Sequence, residues 1–524
     1  MSYFKNAYIL GLLPIVCLIY NLIPKKRYLF LLLVNFAIYF YLVNFRVVFL
    51  LVSILSIYFC GLSLNKIDSK KEKLLKKSKE DKKLIEKKIK NDKKLILIFC
   101  ILLNVSFLIV FKYLSFFTIN INHLLDFLHI NYSVGTAKFL GPLGISFYTL
   151  SALSYILDVY NGKIVADKSF VKVALFLSFF PQITEGPIAR FSDTADSLYE
   201  GKKITNQSFV LGYQRILFGL FKYKLFVPRL NLIVSKVFLD YTNYSGFGIF
   251  LGALAYTVML YMEFSGTMDI VIGSGQIFGV KIPENFRQPF FSKNISEFWT
   301  RWHISLGLWF KDYIYYPICL SKPLKKLTKK TRKLLGNQYG PLISGSIALF
   351  VVWFLNGLWH GAGYTFLFFG LYHFVMIAGG NFITPLVVFI CKKLHINREN
   401  IIYRILQTLK MCLFVIIGEL FFRVDTLSNG FAMVHKIFTN FVISGSEMLR
   451  FGLSIQDYVV MIISLIFIFI MSILREKNID VREKLSTKKT YVRWIIMYVF
   501  ILIIIIFGAY GTGYEPIDPI YADF

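Results

Sequence analysis

The sequence has 524 residues, of which 56% are hydrophobic and only 17% charged. Ordinary soluble chains are about 45–50% apolar and about 25% charged, so this composition excludes a soluble globular protein. The 59 Lys and Arg outnumber the 30 Asp and Glu and give a formal net charge of +29. These basic residues gather between apolar blocks, as cytoplasmic loops beside anionic lipid do, which argues against nucleic acid as a partner and for the lipid bilayer.

The apolar blocks predict an all-α, polytopic integral membrane protein. A helix needs about 20 mostly apolar residues to cross the hydrocarbon core, so the length admits about 10–12 transmembrane helices. Shorter blocks interrupted by Gly or Pro in the middle of the chain predict re-entrant or buried half-helices. No boundary for a second domain is visible, so residues 1–524 are interpreted as one membrane domain, with N-terminal helices at 1–64 and C-terminal helices at 401–524.

Four basic loops give the predicted topology. If residues 25–27 face the cytoplasm, the N-terminus lies outside, and two crossings later the chain returns to the basic arm 66–94. That arm holds fourteen Lys against six acidic residues, so two independent loops agree on one side. The basic loops 322–333 and 475–489 are also predicted to face the cytoplasm. The six cysteines show no CxxC spacing and are interpreted as packing residues, and no metal site is predicted.

His303 lies in the run 296–306, which mixes aromatic side chains with a carboxylate and a guanidinium. Ionisable side chains at membrane depth are expensive and mark functional paths. If the run is one helix, Glu297 and Arg301 lie on one face, where their ion pair braces the imidazole. Trp299 and His303 then share a neighbouring stripe. An amphipathic interfacial helix with an aromatic belt explains the same composition equally well.

His360 is the second candidate and ends a short block of small residues at 356–363. Glycines on both sides let another backbone, or a slender substrate, approach the ring. Asn356 precedes it by four residues, so on a helix its amide lies on the same face and can orient the imidazole. His373 follows thirteen residues later and is interpreted as a satisfied core histidine.

Counting along the chain separates the two candidates in depth. His303 precedes the basic loop 322–333, whereas a helix from Leu342 onward carries His360 about 27 Å from its cytoplasmic start. We therefore predict one histidine toward each side of the membrane, with a passage joining a cytosolic mouth to an external one. No P-loop, HExxH or GxSxG signature accompanies them.

A series of short motifs runs in one order over residues 139–374. These motifs are PLGISFY at 142–148, FPQ at 180–182, GPI at 186–188, EFSGTMDIVIG at 263–273, PENF at 283–286, FWTRWHISL at 298–306, WFKDY at 309–313 and GLWHGA at 357–362. They resemble the signatures of the membrane-bound O-acyltransferases, in the bacterial branch that contains alginate O-acetyltransferase and the teichoic-acid D-alanyl transferase. One departure is Pro317-Ile318-Cys319, where the alginate type usually has a Pro-Leu-Gly-Gly turn, which affects the expected loop geometry and partner docking.

The resemblance implies a fold, a reaction and a set of site residues. The fold would be a ring of helices around a central funnel or tunnel, with the acyltransferase core at 139–374. An acyl group would pass from a cytosolic thioester to a hydroxyl at or beyond the outer face. By the same resemblance His360 is catalytic, and His303 lies toward the cytosolic side of the tunnel. The supporting residues expected for the tunnel, orientation or the oxyanion are Asn356, Trp302, Arg301, Glu297, Asp269, Asp312 and Trp359.

The chemistry of such a transfer fits these residue types. A base must take the hydroxyl proton, and an imidazole with an ordinary pKa near 6.5 suits that task at neutral pH. His360 is the candidate base. An apolar tunnel would keep water from the thioester. No tightly bound cofactor is expected, and the economical donor is acetyl-CoA as a co-substrate.

Three functions remain open from the sequence. The leading one is O-acetylation of an extracellular or cell-surface polysaccharide at a bacterial cell membrane, with a polysaccharide or an extracytoplasmic acetyl-transferring protein as acceptor. The length after His360 and the ending at 519–524 resemble the alginate type. The alternative is D-alanyl transfer from an acyl carrier protein to a teichoic acid. A non-enzymatic transporter or flippase component, with histidines along a conduction path, is a third interpretation.

Overall fold

A computed structural model describes residues 7–77, 82–136, 139–511 and 513–514. Within these ranges the chain is helical and contains no β-strand, which confirms the all-α prediction. Eight helical segments are long and apolar enough to cross a membrane, so the chain is a multi-pass membrane protein. They are Arg27–Lys70, Lys82–Phe127, Gly246–Ile277, Lys322–His360, Tyr364–Lys393, Ile401–Arg423, Ile455–Glu476 and Thr490–Phe507. The first two contain more than one helix each, and the count of 10–12 crossings stays a prediction.

Contacts between residues group the chain into two compact units. The first contains the described residues up to Tyr213 together with Val271–Pro283, and the second contains Gln214–Ile270 and the described residues from Glu284 onward. The helices wholly in the first unit are α1 (Leu13–Leu22), α2 (Arg27–Val43), α3 (Val47–Lys77), α4 (Lys82–Leu108), α5 (Leu114–Phe127), α6 (Ile145–Tyr160), α7 (Phe170–Ser178) and α8 (Phe191–Glu200). The long helices α9 (Asn206–Leu239) and α10 (Gly246–Ile277) contribute residues to both units.

The second unit holds the remaining helices. These are α11 (Ile295–Arg301), α12 (Ile304–Phe310), α13 (Tyr316–Cys319), α14 (Lys322–His360), α15 (Tyr364–Lys393), α16 (Ile401–Arg423), α17 (Leu427–Thr439), α18 (Gly445–Arg450), α19 (Ile455–Glu476), α20 (Val481–Ser486) and α21 (Thr490–Phe507). Short π-helices lie at Ala7–Leu12, Ile109–Tyr113 and Lys311–Tyr315, and 3₁₀-helices at Asn44–Arg46, Tyr241–Asn243 and Pro289–Phe291. The middle of the chain also holds the seven-residue α11 and α12, and the presence of re-entrant half-helices stays a prediction.

Two of the motifs meet inside the first unit. Gly144, in PLGISFY, has a φ of 77°, and a Cβ there would lie 2.1 Å from the Ile183 carbonyl oxygen, so only glycine fits. The Tyr39 hydroxyl donates to the Leu143 carbonyl (2.8 Å), and the Asn35 Oδ1 accepts from the Phe180 N–H (3.1 Å). Buried polar groups of α2 therefore hold both motifs in place.

The basic arm 66–94 is helical on both sides of residues 78–81, which lie outside the described residues. Helix α3 continues to Lys77, and α4 begins at Lys82. The Lys93 Nζ lies 2.8 Å from the Asp68 carboxylate, so the two helices contact each other within the arm.

The segment α14 consists of two helices folded against each other. Its backbone leaves the helical conformation at Gly336, where φ is 74° and ψ is 178°. The Thr331 hydroxyl donates to the Gly340 carbonyl (2.7 Å), and the Thr328 hydroxyl donates to the Ser344 hydroxyl (2.6 Å). Each pair joins a residue before Gly336 to one after it, and the pair that starts farther before Gly336 also ends farther after it. The basic half 322–335 therefore runs antiparallel to the start of the apolar half 337–360.

The apolar half of α14 packs closely against α15 through two glycines. A Cβ on Gly357 would lie 2.5 Å from the Phe366 carbonyl oxygen, and a Cβ on Gly370 would lie 2.3 Å from the Trp353 carbonyl oxygen. No side chain fits at either position, and small residues of this kind allow helices to approach closely in a membrane. This crossing fixes where the end of α14, and with it His360, lies.

Candidate active site

The run 296–306 is not one helix, contrary to the expectation for it. Helix α11 ends at Arg301, Trp302 is extended, and His303 adopts a left-handed conformation with φ 47° before α12 begins. The Trp299 ring therefore does not share a stripe with the His303 ring. Its indole N–H donates to His373 instead (3.2 Å). His303 thus lies in a tight turn between two short helices, which we call the His303 turn (residues 301–305).

A neighbouring segment from the PENF motif holds the His303 turn. Phe286 and Trp302 form an antiparallel bridge, and the Ile304 N–H donates to the Asn285 carbonyl (3.0 Å). The Asn285 Oδ1 accepts from both the N–H and the hydroxyl of Ser305 (3.0 and 2.9 Å). Breaking a helix frees buried backbone groups, and these bonds satisfy them. The turn therefore depends on tertiary contacts with residues 285–286.

A buried ionic network anchors this segment and gives Asp269 its place. Arg215 donates to both oxygens of Glu284 (2.6 and 2.5 Å) and to the Asp269 Oδ1 (3.0 Å). Lys222 donates to the Asp269 Oδ2 (2.7 Å). Asp269 therefore acts on the His303 turn through Arg215, Glu284 and Asn285. Sequence reasoning assigned no role to these three residues or to Lys222, although two cations within the largely apolar helix α9 were a visible signal.

The two histidines pack against the same tryptophan. The Trp359 ring centroid is 5.6 Å from that of His303 and 4.9 Å from that of His360. The two imidazoles therefore cannot be further apart than the sum of these distances. That one of them lies toward each side of the membrane stays a prediction, but the His303 turn brings its ring against the end of α14, closer to His360 than the count along the chain suggested.

His303 is enclosed by aromatic rings. It is 3% exposed, and Phe264 meets its ring edge-on at 4.8 Å. Burial lowers the pKa of His303 from its ordinary value near 6.5 to about 3. This residue lies outside the eight candidate spans. The imidazole is therefore neutral at physiological pH, and it can donate and accept a hydrogen bond without carrying charge.

His360 ends α14 in similar surroundings. Its ring contacts Phe422 and Phe369 at centroid distances of 5.1 and 5.8 Å, and it is 4% exposed. The close approach expected beside it comes from α15, since a Cβ on Gly361 would lie 2.2 Å from the Phe366 ring. Asn356 lies one turn earlier, and its Oδ1 is buried without a hydrogen-bond partner among the described residues. Its orientation of His360 stays a prediction.

The expected ion pair between Glu297 and Arg301 is present at 2.7 Å. Arg301 also donates to both oxygens of Glu476 (3.0 and 2.9 Å), so it ties α11 to the end of α19. These bonds fix the helix that precedes His303, and the imidazole itself is enclosed by rings. The pair therefore acts on the position of the turn.

The structure also places two other predicted residues, Trp302 and Asp312. Trp302 stacks on Phe298 at 5.4 Å and meets Phe286 at 5.1 Å, which makes it part of the packing under the His303 turn. Asp312 lies in the π-helix Lys311–Tyr315 and is partly exposed. His373 is fully buried, and its Nδ1 accepts from Trp299, but its Nε2 has no hydrogen-bond partner among the described residues, so it is a core histidine that is satisfied at one nitrogen only.

Comparison with known proteins places this site in a family. Residues 163–422 match the model of the membrane-bound O-acyltransferase family. The probable alginate O-acetylase AlgI of Pseudomonas syringae pv. tomato is 33% identical over 329 residues, which are 63% of this chain and 58% of that protein. The peptidoglycan O-acetyltransferase of Helicobacter pylori is 33% identical over 313 residues, 54% of each chain. The teichoic acid D-alanyltransferase of Bacillus subtilis is 31% identical over 245 residues, 46% of this chain and 59% of that one.

The alginate-type relatives are matched over only part of their length. The chain spans about three fifths of the length of the curated relatives it matches. The family match nevertheless contains every candidate site residue named above, together with the network around Asp269. The family named from the sequence motifs is thus confirmed, and the chain belongs to the membrane-bound O-acyltransferase family.

Proposed function

We propose that the chain is an O-acyltransferase that moves an acetyl group from a cytosolic thioester to a hydroxyl on the outer side of a bacterial cell membrane, for modification of an extracellular or cell-surface polysaccharide. The observation that carries the proposal is the pair His303 and His360, which are both buried and both contact Trp359. Relatives named as O-acetylases and O-acetyltransferases support acetyl transfer over other acyl groups.

The reaction needs one base and one donor to the carbonyl oxygen. His360 takes the proton of the acceptor hydroxyl as its oxygen attacks the thioester carbonyl carbon. The carbon–sulfur bond then breaks, and the thiolate leaves with that proton. A neutral imidazole can donate to a developing oxyanion, so His303 fits this second role, with the Asn356 amide as a further donor.

The aromatic surroundings protect the reaction from water. Phe264 covers His303, while Phe369 and Phe422 cover His360. A thioester beside an activated nucleophile is hydrolysed if bulk water reaches it, and a dry site prevents this loss. In this proposal the expected funnel or tunnel brings the thioester from the cytosolic side to the two histidines.

Replacing His360 tests the proposal. We expect His360→Ala to lower acetyl transfer from labelled acetyl-CoA to surface polysaccharide by about 10²–10⁴-fold, the usual contribution of a general base. The matched control is His435→Ala, because His435 is exposed on α17. Both variants must reach the membrane at the wild-type level. Full acetylation by a correctly inserted His360→Ala protein would end this assignment.

D-alanyl transfer to a teichoic acid is the second candidate. The relative from Bacillus subtilis that carries this name is 31% identical to the chain, which favours it specifically. The two functions differ in donor, since one uses acetyl-CoA and the other a D-alanyl acyl carrier protein. Thioester turnover with the carrier protein and none with acetyl-CoA would select the second. A transporter finds less support, because the matched family is one of acyltransferases.

A further inference from the structure

A cavity lies in the second unit among α9, α19, α20 and α21. Its volume is about 130 Å³. One part of its lining is cationic and contains Arg215, Arg475 and Arg482. Another part is apolar and contains Phe467, Met471 and Phe500. The cavity does not include either histidine of the candidate active site, and it is lined by charge and hydrocarbon together.

The cationic part contains polar atoms that the described residues do not satisfy. The donors Arg482 Nη1 and Gln214 Nε2, and the acceptor Gln214 Oε1, are buried and have no hydrogen-bond partner within residues 7–77, 82–136, 139–511 and 513–514. A buried donor without an acceptor costs about 1–3 kcal/mol, and more when it is charged. An acceptor-rich group in the cavity would remove that cost.

The acidic residues near the cavity already form ion pairs or hydrogen bonds with other groups. Arg215 is bound by Glu284 and Asp269. Asp480 caps α20 by accepting from the N–H groups of Arg482 and Glu483, and its carboxylate lies 3.7 Å from the Arg482 guanidinium. Burial and the charge of Arg215 lower the pKa of Arg482, which remains a cation at neutral pH. The positive charges at this end therefore repel one another, and an anion would relieve that repulsion.

We propose that this cavity binds an anionic phospholipid. Its phosphate accepts from Arg482, Arg475 and the Gln214 amide, and an acyl chain lies along Phe467, Met471 and Phe500. Phosphate oxygens are acceptors only and match guanidinium donors in geometry and charge. The apolar lining in the same cavity selects a lipid over a free phosphate.

The position of the cavity in the chain supports a lipid. Arg475 lies at the end of the membrane span α19, and Arg482 lies on the short helix α20 within the basic stretch 475–489. Basic pockets between membrane helices next to such stretches bind lipid headgroups. Arg215 belongs both to this cavity and to the network that holds the His303 turn, so an occupied cavity would also steady that turn.

Titration with lipid tests the proposal on the full chain. Purified protein in detergent, stripped of lipid, is titrated with phosphatidylglycerol or with phosphatidylcholine of the same acyl chains, while Tm is followed. We expect phosphatidylglycerol to raise Tm more than phosphatidylcholine does. Arg482→Gln should weaken the apparent affinity for phosphatidylglycerol about fivefold, the factor that one juxtamembrane arginine contributes. The matched control is Lys484→Gln, which removes an exposed charge from the same short helix.

A second measurement does not depend on any variant. Native mass spectrometry of the wild-type protein should show phosphatidylglycerol retained in preference to phosphatidylcholine. Equal retention of the two lipids would overturn the proposal, and so would equal losses of affinity in Arg482→Gln and Lys484→Gln. A titration with coenzyme A distinguishes a soluble source of phosphate. If coenzyme A gives a Tm shift that depends on Arg482 while phosphatidylglycerol gives none, the lipid assignment is wrong.

Discussion

His303 is held in a backbone conformation that its residue type rarely adopts. A left-handed φ of 47° costs a non-glycine residue of order 1–3 kcal/mol, and it persists only where the surroundings impose it. Here Asn285 and Trp302 impose it through the contacts of the His303 turn. The sequence identified His303 and His360 as candidates, but no Gly or Pro interrupts 296–306, so nothing local predicted the turn.

The lowered pKa of His303 makes stability depend on pH. In the folded protein the imidazole stays neutral down to about pH 3, whereas in the unfolded chain it binds a proton below about pH 6.5. The unfolded state therefore binds more protons in this window, and stability falls as pH falls, by up to about 1.4 kcal/mol per pH unit. We expect wild-type Tm to drop more than that of His303→Gln between about pH 7 and about pH 5. Parallel Tm curves for the two proteins would contradict this.

Asn285 should matter for both stability and activity. Asn285→Leu removes the acceptor of two buried hydrogen bonds from Ser305, and their loss should cost about 1–3 kcal/mol. The His303 turn should loosen, so acyl transfer should fall more than the loss of folded protein explains. Tm and activity per folded protein measure the two effects.

The matched control for Asn285 is a neighbouring asparagine with a purely local role. Asn294 caps α11 by accepting from the Glu297 N–H (2.9 Å), and Asn294→Ala should cost about 1 kcal/mol. Activity per folded protein should be close to wild type in this control. If both variants lower specific activity equally, the His303 turn has no special dependence on Asn285.

At the scale of the elements, the crossing of α14 and α15 fixes the end that carries His360. Gly370→Ala would place a Cβ 2.3 Å from the Trp353 carbonyl oxygen, so the two helices must separate. Overpacking of this kind costs about 1–3 kcal/mol, and the shift should displace His360 and lower activity. We expect a lower Tm together with a lower specific activity.

The control for Gly370 lies on the same helix. A Cβ on Gly379 would meet nothing within 4 Å, so Gly379→Ala should raise helix stability by up to about 1 kcal/mol. The opposite signs of the two Gly→Ala changes are the expected outcome. Equal behaviour would mean that close contact between α14 and α15 is not what requires glycine at position 370.

Apolar runs predicted the long helices well, because hydrocarbon length sets a strong local pattern that a single sequence displays. Local patterns of this kind could not predict that residues 285–286 pair with residues 302–305. This pairing depends on Arg215 and Glu284, which are separated by 69 positions in the chain and meet only in the fold. The site residues that sequence reasoning found lie in recognisable motifs, and those it missed act through contacts at long sequence range.

For the whole molecule, the predicted topology can be tested by cysteine labelling. With the partly exposed Cys319 and Cys412 replaced by Ser, we place single cysteines at the exposed positions Lys326, Lys484 and His129. The positive-inside pattern predicts that the first two face the cytoplasm and that the third, one crossing beyond the basic arm, lies outside. A membrane-impermeant maleimide should label intact cells only at position 129. Labelling of Lys484→Cys in intact cells would reverse the assignment of the C-terminal loops.

The class, the membrane spans and the family of this chain followed from its composition and motifs. Its grouping into two compact units did not, because each unit combines segments that lie far apart in the chain. The interpretation of residues 1–524 as a single membrane domain stays a prediction. The ending at 519–524, which resembles the alginate type, lies outside the described residues.

The fold-back of α14 at Gly336 links the catalytic candidate to the lipid around it. The basic half 322–335 carries exposed lysines that would contact the lipid phosphate groups at one surface of the bilayer. From that anchor the apolar half rises 24 residues, about 36 Å, to His360, slightly more than the roughly 30 Å of hydrocarbon it must traverse. Because a helix has a fixed length and this one is held at its basic end, the depth of His360 depends on membrane thickness. A thinner bilayer would place His360 nearer to the opposite headgroups, and a thicker one would place it farther from them.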